Sequence, residues 1–188
     1  LPTLSERTTP PYWLTSSLEN WLSFRDNEFP AGTRVTCYGT MWSTPEKYAE
    51  GRAMARVLMR QMADGAYTSS TLDAIEDSEG EWTPEAPVVV VVEAPVRFDP
   101  ETEMKEGGVL GLAVVWRERI ALAVNRRARR KGLGTALLVQ ARVFAPGAGL
   151  YVAPRNIGAH HFLLEAGMRP LSVGSSGVVR YGVHEDEA

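Results

Sequence analysis

The run from Ile120 to Leu138 constrains this chain more than any other stretch. Apolar Ile120–Val124 stops at Asn125-Arg126-Arg127-Ala128-Arg129-Arg130-Lys131, and Gly132-Leu133-Gly134 then opens into Thr135-Ala136-Leu137-Leu138. A strand, a tight basic loop and a helix N-terminus follow one another directly, and that succession suits a bound phosphate. Glycine lets the backbone come close to an anion and turn its N–H groups toward it. The helix dipole adds partial positive charge at the same point. The loop reads Arg-x-x-Gly-x-Gly from Arg129 to Gly134. It is neither the Gly-x-Gly-x-x-Gly dinucleotide fingerprint nor a Walker loop.

The rest of the composition bounds what can be built around this loop. At 188 residues, 44% hydrophobic and 23% charged, the chain can bury a sizeable core. Its net charge of −3 weighs against a nucleic-acid backbone as main partner. The single cysteine, Cys37, excludes an internal disulfide and reads as a small buried residue. No apolar run is long enough for a membrane span, so no membrane partner is expected and the expected compartment is the cytoplasm. His160 and His161 are adjacent, nothing has ligand spacing, and no metal is expected.

Along the chain, residues 1–34 read as an N-terminal extension in which Trp13, Leu14, Leu18, Trp21, Leu22 and Phe24 recur at helical spacing, so that a helix from about Ser16 to Phe24 packs its aromatics on the core. The main domain is placed at 35–184 and an acidic tail at 185–188. Val35–Tyr38 is a first strand. A helix starts at Ser43 or Thr44, where Ser43-x-x-Glu46 resembles a capping box and Pro45 suits the first turn. Its Arg52, Arg56 and Arg60 form a four-residue stripe that reads as a solvated face. From Gln61 to Val96 there are acids but no Lys or Arg. A short helix near Ser70–Glu76 and a loop to Pro87 are expected there. Val88–Val92 reads as a buried strand, Ala94–Gly107 as a polar connection and Gly108–Trp116 as the next strand. Ile120–Val124, Leu150–Ala153, and Leu171–Val173 with Val178–Val183 complete the strands. Helices are expected over Gly132–Phe144 and Ile157–Glu165, the second stopped by Gly167.

Two motifs go further. Leu122-Ala123-Val124 followed by Arg129-x-x-Gly132-x-Gly134 resembles the acyl-CoA motif of the GCN5-related N-acetyltransferase (GNAT) superfamily. Asn156-x-x-Ala159-x-x-Phe162, then Glu165-Ala166-Gly167-Met168, resembles its second motif, in the same order and at similar spacing. The resemblance covers residues 118–170. It implies an α/β (α+β) fold with a mixed, mostly antiparallel sheet, a splayed parallel strand pair and helices on both faces. It also implies acetyl-CoA or another acyl-CoA as co-substrate. The backbone of Leu122, Ala123 and Val124 would pair with the pantetheine arm. N–H groups over Arg129, Arg130, Lys131, Gly132, Leu133, Gly134 and Thr135 would hold the pyrophosphate, and Asn156 and Phe162 would line the other side.

Acyl transfer to an amine needs a base for the amine and an acid for the leaving thiolate. Glu118 lies eleven residues before Arg129, the offset of the catalytic glutamate in the family's histone-modifying branch. It shares strand parity with Ile120, Leu122 and Val124. Glu93, at the end of the valine strand, is the second candidate base. Many family members carry a tyrosine as thiolate acid where this chain has Leu163, so His160, His161, Tyr151 or a water stands in, with His161 taken as the candidate site residue. No nucleophile offers a covalent relay, so attack is direct in a ternary complex. The acidic Gln61–Val96 stretch favours a cationic amine acceptor, either a small molecule or a protein. Trp42, Tyr67 and Trp82 are candidates for the acceptor wall or the core. Two other readings stand beside this one: a module that keeps the cofactor seat without transfer, and an enzyme acting on a protein, charged tRNA or a DNA base. A homodimer is compatible with the sequence.

Overall fold

The computed structural model describes residues 15–61, 87–116 and 118–183. Trp13, Leu14, the helix expected near 70–76, Tyr67, Trp82 and the acidic tail fall outside them. Helix α1 (Ser16–Phe24) precedes strand β1 (Arg34–Tyr38) and helix α2 (Pro45–Gln61). Strands β2 (Val88–Asp99), β3 (Met104–Trp116) and β4 (Arg119–Val124) follow. Then come α3 (Leu133–Phe144), β5 (Leu150–Val152), α4 (Ile157–Glu165), β6 (Arg169–Val173) and β7 (Val179–Gly182).

The strands form two antiparallel sheets, in the orders β1-β2-β3-β4 and β5-β7-β6. A single parallel bridge, Arg119 with Gly149, joins them. There the Ile120 N–H donates to Gly149 O at 3.0 Å and the Gly149 N–H to Glu118 O at 2.8 Å. The result is the mixed, mostly antiparallel architecture that the family resemblance implies.

Strand alternation sorts the core onto two faces. Val90, Val92, Ala113, Val115 and Ile120 meet Leu18 and Leu22 of α1, Leu133, Leu137 and Ala141 of α3, and Leu163 of α4. Val89, Val91, Leu112, Val114, Ala121 and Ala123 meet Tyr48, Ala55 and Leu58 of α2. The valine run is buried on both sides, which is why it reads as continuous rather than alternating.

Four local expectations are corrected. Of the α1 aromatics, Trp21 packs on the core but Phe24, at the helix end, is 87% exposed. The capping box at Ser43 does not form. Thr44 Oγ1 accepts the Lys47 N–H at 3.3 Å and caps α2, whereas Ser43 Oγ accepts from Gly39 N at 3.1 Å. Arg52 is not solvated: it is 7% exposed, with its guanidinium 5.6 Å from the Tyr48 ring centre. Ala94–Gly107 is not a connection. β2 and β3 pair through Arg97–Glu106, Phe98–Lys105 and Asp99–Met104, leaving only residues 100–103 as the turn. Pro95 and the charged side chains hide that pairing in the sequence, because register shifts at Val92/Glu93 and Ala94/Arg97 absorb the irregularity. Asp99 closes the turn by accepting from Glu101 N and Thr102 Oγ1, each at 2.9 Å, and those bonds hold its carboxyl below the ordinary range.

Candidate functional site

Past the single parallel bridge, β4 and β5 diverge, and α3 and α4 flank the opening. The cleft so formed has a volume of about 820 Å³. Ile120, Leu122 and Val124 form one wall, and Leu150, Tyr151 and Val152 the other. The phosphate-type loop closes one end with Arg129, Arg130, Gly132, Gly134 and Thr135. Asn156, Ala159, His161 and Phe162 border it from α4.

The loop geometry follows from its residues. Asn125 Oδ1 accepts the Arg127 N–H at 3.2 Å and starts one turn of 3₁₀ helix, Arg126–Ala128. Arg130 and Gly132 then take left-handed φ values of 62° and 84°. Gly132 is the N-cap of α3, and its carbonyl accepts the Ala136 N–H at 3.0 Å. The N–H groups of Leu133, Gly134 and Thr135 therefore precede the first intrahelical bond and are available to an acceptor at the helix end. At Gly134 a Cβ would lie 3.3 Å from the Phe162 ring, so any side chain there would press on α4.

The loop cations divide into two sets. Arg129 and Arg130 are exposed and line the cleft, with Arg129 Nε donating to Val124 O at 3.1 Å. Arg127 Nη1 donates to Lys105 O at 3.0 Å and braces the loop against β3. Lys131, expected among the pyrophosphate residues, turns away: its ammonium donates to Glu28 O at 2.9 Å and lies 5.5 Å from the Phe29 ring centre. Ala123, from the expected pantetheine trio, points its side chain into the core under α2. Leu122 and Val124 face the cleft.

On α4, Asn156 is the N-cap, its Oδ1 accepting the Ala159 N–H at 3.2 Å. The adjacent histidines separate as a helix demands. His160 Nε2 lies 3.0 Å from Ala153 O, and a carbonyl can only accept, so that nitrogen carries the proton. Nδ1 then accepts from the hydroxyl of buried Tyr181 at 2.6 Å. His160 is thereby a strut between α4 and β7, and His161 is the one exposed at the cleft. Leu163, at the position of the family's tyrosine, is 1% exposed.

The candidate bases lie apart from one another. Glu118 is exposed in the turn before β4, at the closed end of the splay, and is not among the cleft-lining residues. Glu93 sits on β2 opposite Val109, toward the phosphate-loop end of the sheet, with its carboxylate 3.5 Å from Arg34 Nη2 and 3.4 Å from Thr36 Oγ1. Burial, with Glu93 and Glu50 nearby, raises the pKa of the neighbouring Tyr38. Cys37 is buried and its thiol is pushed up to about 12 by desolvation, so it is no nucleophile. Trp42 is a packing residue whose Nε1 donates to Cys37 O at 2.9 Å. Among the described residues no His, Cys, Asp and Glu cluster could hold a metal ion, and no helix is long and apolar enough to cross a membrane. Of the β5 wall only Tyr151 was named from the sequence; Leu150, Val152 and Glu165 were not. Two aliphatic residues on a three-residue strand carry no signal until the splay gives them a partner.

A mixed sheet split at one parallel bridge, with a basic glycine loop feeding a helix at the split, is the acetyltransferase type of fold. The model of the acetyltransferase (GNAT) family matches residues 59–168, and the chain belongs to that family. Among solved structures it is similar to an acetyltransferase from Streptococcus agalactiae, at 12% identity and a TM-score of 0.52, over 82% of this chain and 99% of that one. It is also similar to a domain from Methanocaldococcus jannaschii, at 11% identity and a TM-score of 0.51, over 80% and 98%. The PaiA N-acetyltransferase from Thermoplasma acidophilum, in complex with coenzyme A, aligns over 80% of this chain and 99% of that one, at 12% identity and a TM-score of 0.49. No curated protein matches the sequence.

Proposed function

We propose that the chain transfers an acetyl group from acetyl-CoA to an amine, by direct attack in a ternary complex. The observation that carries this is the cleft between diverging β4 and β5, closed at one end by the α3 N-terminus and its arginines. Acetyl-CoA supplies the thioester. Around it, the N–H groups of Leu133, Gly134 and Thr135, with Arg129 and Arg130, would seat a pyrophosphate. Leu122, Val124, Tyr151 and Val152 would confine the chain that runs inward from it, and Asn156 and Phe162 would complete the α4 side. The amine must lose a proton as it attacks, and the departing sulfur must gain one. Glu118, at the closed end of the splay, is our candidate for the first proton, directly or through a water. Tyr151, which borders the cleft, is the candidate source of the second, since Leu163 has no proton to give and His160 is engaged.

A module that seats the cofactor without transfer is the second reading, favoured by the buried Leu163. Two measurements test both. Calorimetry should detect acetyl-CoA binding to the wild-type chain, and its absence would end the proposal. Thiol release across an amine panel separates transfer from seating alone. Glu118→Gln should lower turnover about 10²-fold or more at neutral pH with acetyl-CoA affinity retained. An unaltered pH–rate profile removes Glu118 as base.

A further inference from the structure

The cleft has a floor whose chemistry bears on the acyl group. Arg119 and Gly149 form the bridge, so Ile120 and Leu150 are the first residues past the point where β4 and β5 part. Both side chains turn to the α3 and α4 side, and both border the cleft. Exposure rises along β4 away from that point: Ile120 is 3% exposed, whereas Leu122 and Val124 are half-buried. The cleft therefore narrows to a closed end at Ile120 and at Leu150, itself 6% exposed.

Leu163 completes this end. Its carbonyl accepts the Met168 N–H at 2.9 Å, and Met168 leads directly into β6. Arg169 of β6 pairs with Gly182, and the adjacent Tyr181 pairs with Leu150. His160, one turn before Leu163, also bonds Tyr181. These links bring Leu163 to the level of Leu150. It borders the cleft although it is only 1% exposed, and it shares one core cluster with Ile120 and Leu150.

The charged residues around the cleft stand elsewhere. Arg129 and Arg130 are at the loop. His161 and Glu165 are each two residues from Leu163, a turn of about 200° that sets them on the exposed side of α4. The floor is thus three aliphatic side chains, with no charged group beside them to pair an anion. Pyrophosphate and thioester stand at opposite ends of the pantetheine arm. With the first at the α3 N-terminus, the second falls toward this floor.

We infer that Ile120, Leu150 and Leu163 select the acyl group, admitting a short, uncharged aliphatic one, and that Leu163 sets its greatest length. This rests on the acetyl-transfer reading and deepens it, because it says which coenzyme A thioesters the cleft takes. An aliphatic acyl group gains on meeting the floor, about fourfold in affinity for each methylene buried. A carboxylate on the acyl chain would lose its water and find no partner. A chain too long for the floor must displace packed side chains. Leu163 comes from a helix rather than a strand, so its size can be changed without touching the β4–β5 bridge.

The test is an acyl series. Calorimetry reads the affinity of the full chain for acetyl-, propionyl-, butyryl-, hexanoyl- and succinyl-CoA, and thiol release across an amine panel reads kcat/KM for the same donors. In the wild type, hexanoyl-CoA should fall about tenfold or more below acetyl-CoA, and succinyl-CoA about 100-fold or more. Leu163→Ala should move the limit outward, so that hexanoyl-CoA gains about tenfold or more relative to acetyl-CoA. Leu163→Phe should move it inward, so that propionyl-CoA loses ground to acetyl-CoA. Leu163→Met, which keeps the volume, should keep the wild-type order. A role in packing alone would weaken every donor alike and leave their order unchanged. Thermal melting shows which variants fold. Where Leu163→Ala does not, Ile120→Val carries the same test from the β4 wall, with butyryl-CoA gaining about fourfold on acetyl-CoA. An unchanged order of donors in the folded variants would overturn the inference, as would wild-type protein that takes hexanoyl- or succinyl-CoA as well as acetyl-CoA. Failure of the wild type to bind any coenzyme A thioester would instead strike the acetyl-transfer reading itself.

Discussion

Gly134 offers the sharpest separation of cofactor seat from fold. It is the second residue of α3, and a Cβ there would meet Phe162 at 3.3 Å and Val124 Cγ2 at 3.7 Å. Alanine in a helix is favoured over glycine by up to about 1 kcal/mol. The close approach to Phe162 takes back part of that. Gly134→Ala should therefore leave stability within about 1 kcal/mol of wild type. Affinity should move differently, because the methyl enters the gap between α3 and α4 where the helix-end N–H groups face the cleft. Losing one charge-assisted bond there costs about 1.5–3 kcal/mol, or roughly 10- to 150-fold in acetyl-CoA affinity. Gly134→Trp fills the gap and should weaken binding about 100-fold or more. Calorimetry with acetyl-CoA and thermal melting of the same samples read the two effects. Folded Ala and Trp variants that both bind within twofold of wild type would refute the assignment of this end of the cleft to the pyrophosphate. Gly132→Ala is the control in which stability falls together with affinity. At φ 84°, with Trp21 3.3 Å from the added Cβ, it should lose stability by about 1–2 kcal/mol as well as affinity.

Two further outcomes concern the frame. Gln140 is fully buried on α3, and its Oε1 accepts the buried Leu18 N–H at 3.1 Å, serving the first turn of α1. Gln140→Leu should cost about 1–3 kcal/mol by stranding that donor, and a urea midpoint shift worth under about 0.5 kcal/mol would refute the role. The Cys37 thiol has its pKa raised from 9.0 to about 12. The unfolded chain therefore ionises first, so this contribution is whole below pH 9 and is lost as pH rises toward 12, by at most about 1.4 kcal/mol per unit. Cys37→Ala should flatten the alkaline decline in stability measured by urea unfolding, and an unchanged slope between pH 9 and 11 counts against it.

The loop end of the cleft was legible because its structure is local. Arg129 to Gly134 and Asn156 to Phe162 are each contiguous, and each marks a helix start whose cap can be read residue by residue. Helices Ser16–Phe24 and Ile157–Glu165 have the bounds expected from their apolar spacing and stop signals. The β2–β3 hairpin was not legible, because Pro95 and the charges beyond it look like a loop until β3 pairs with them. Nor was the course of the Lys131 side chain legible, because only packing places its ammonium on Glu28 O. The Arg119 contact with Tyr151 comes through one bridge between β4 and β5, which cannot be read from spacing along the chain.

The bracing of the phosphate-type loop has a consequence for where this protein's cooperative unit begins. The family match starts at residue 59. Yet Lys131 is tied to Glu28, Trp21 packs on Gly132, and Gln140 holds the start of α1. Loop and leading helix should therefore open together. Amide exchange at Leu133 to Thr135 would report on the undocking of a segment more than a hundred residues earlier in the chain. A fragment trimmed to the matched region would keep both motifs and lose the buttress that sets the angle of one of them.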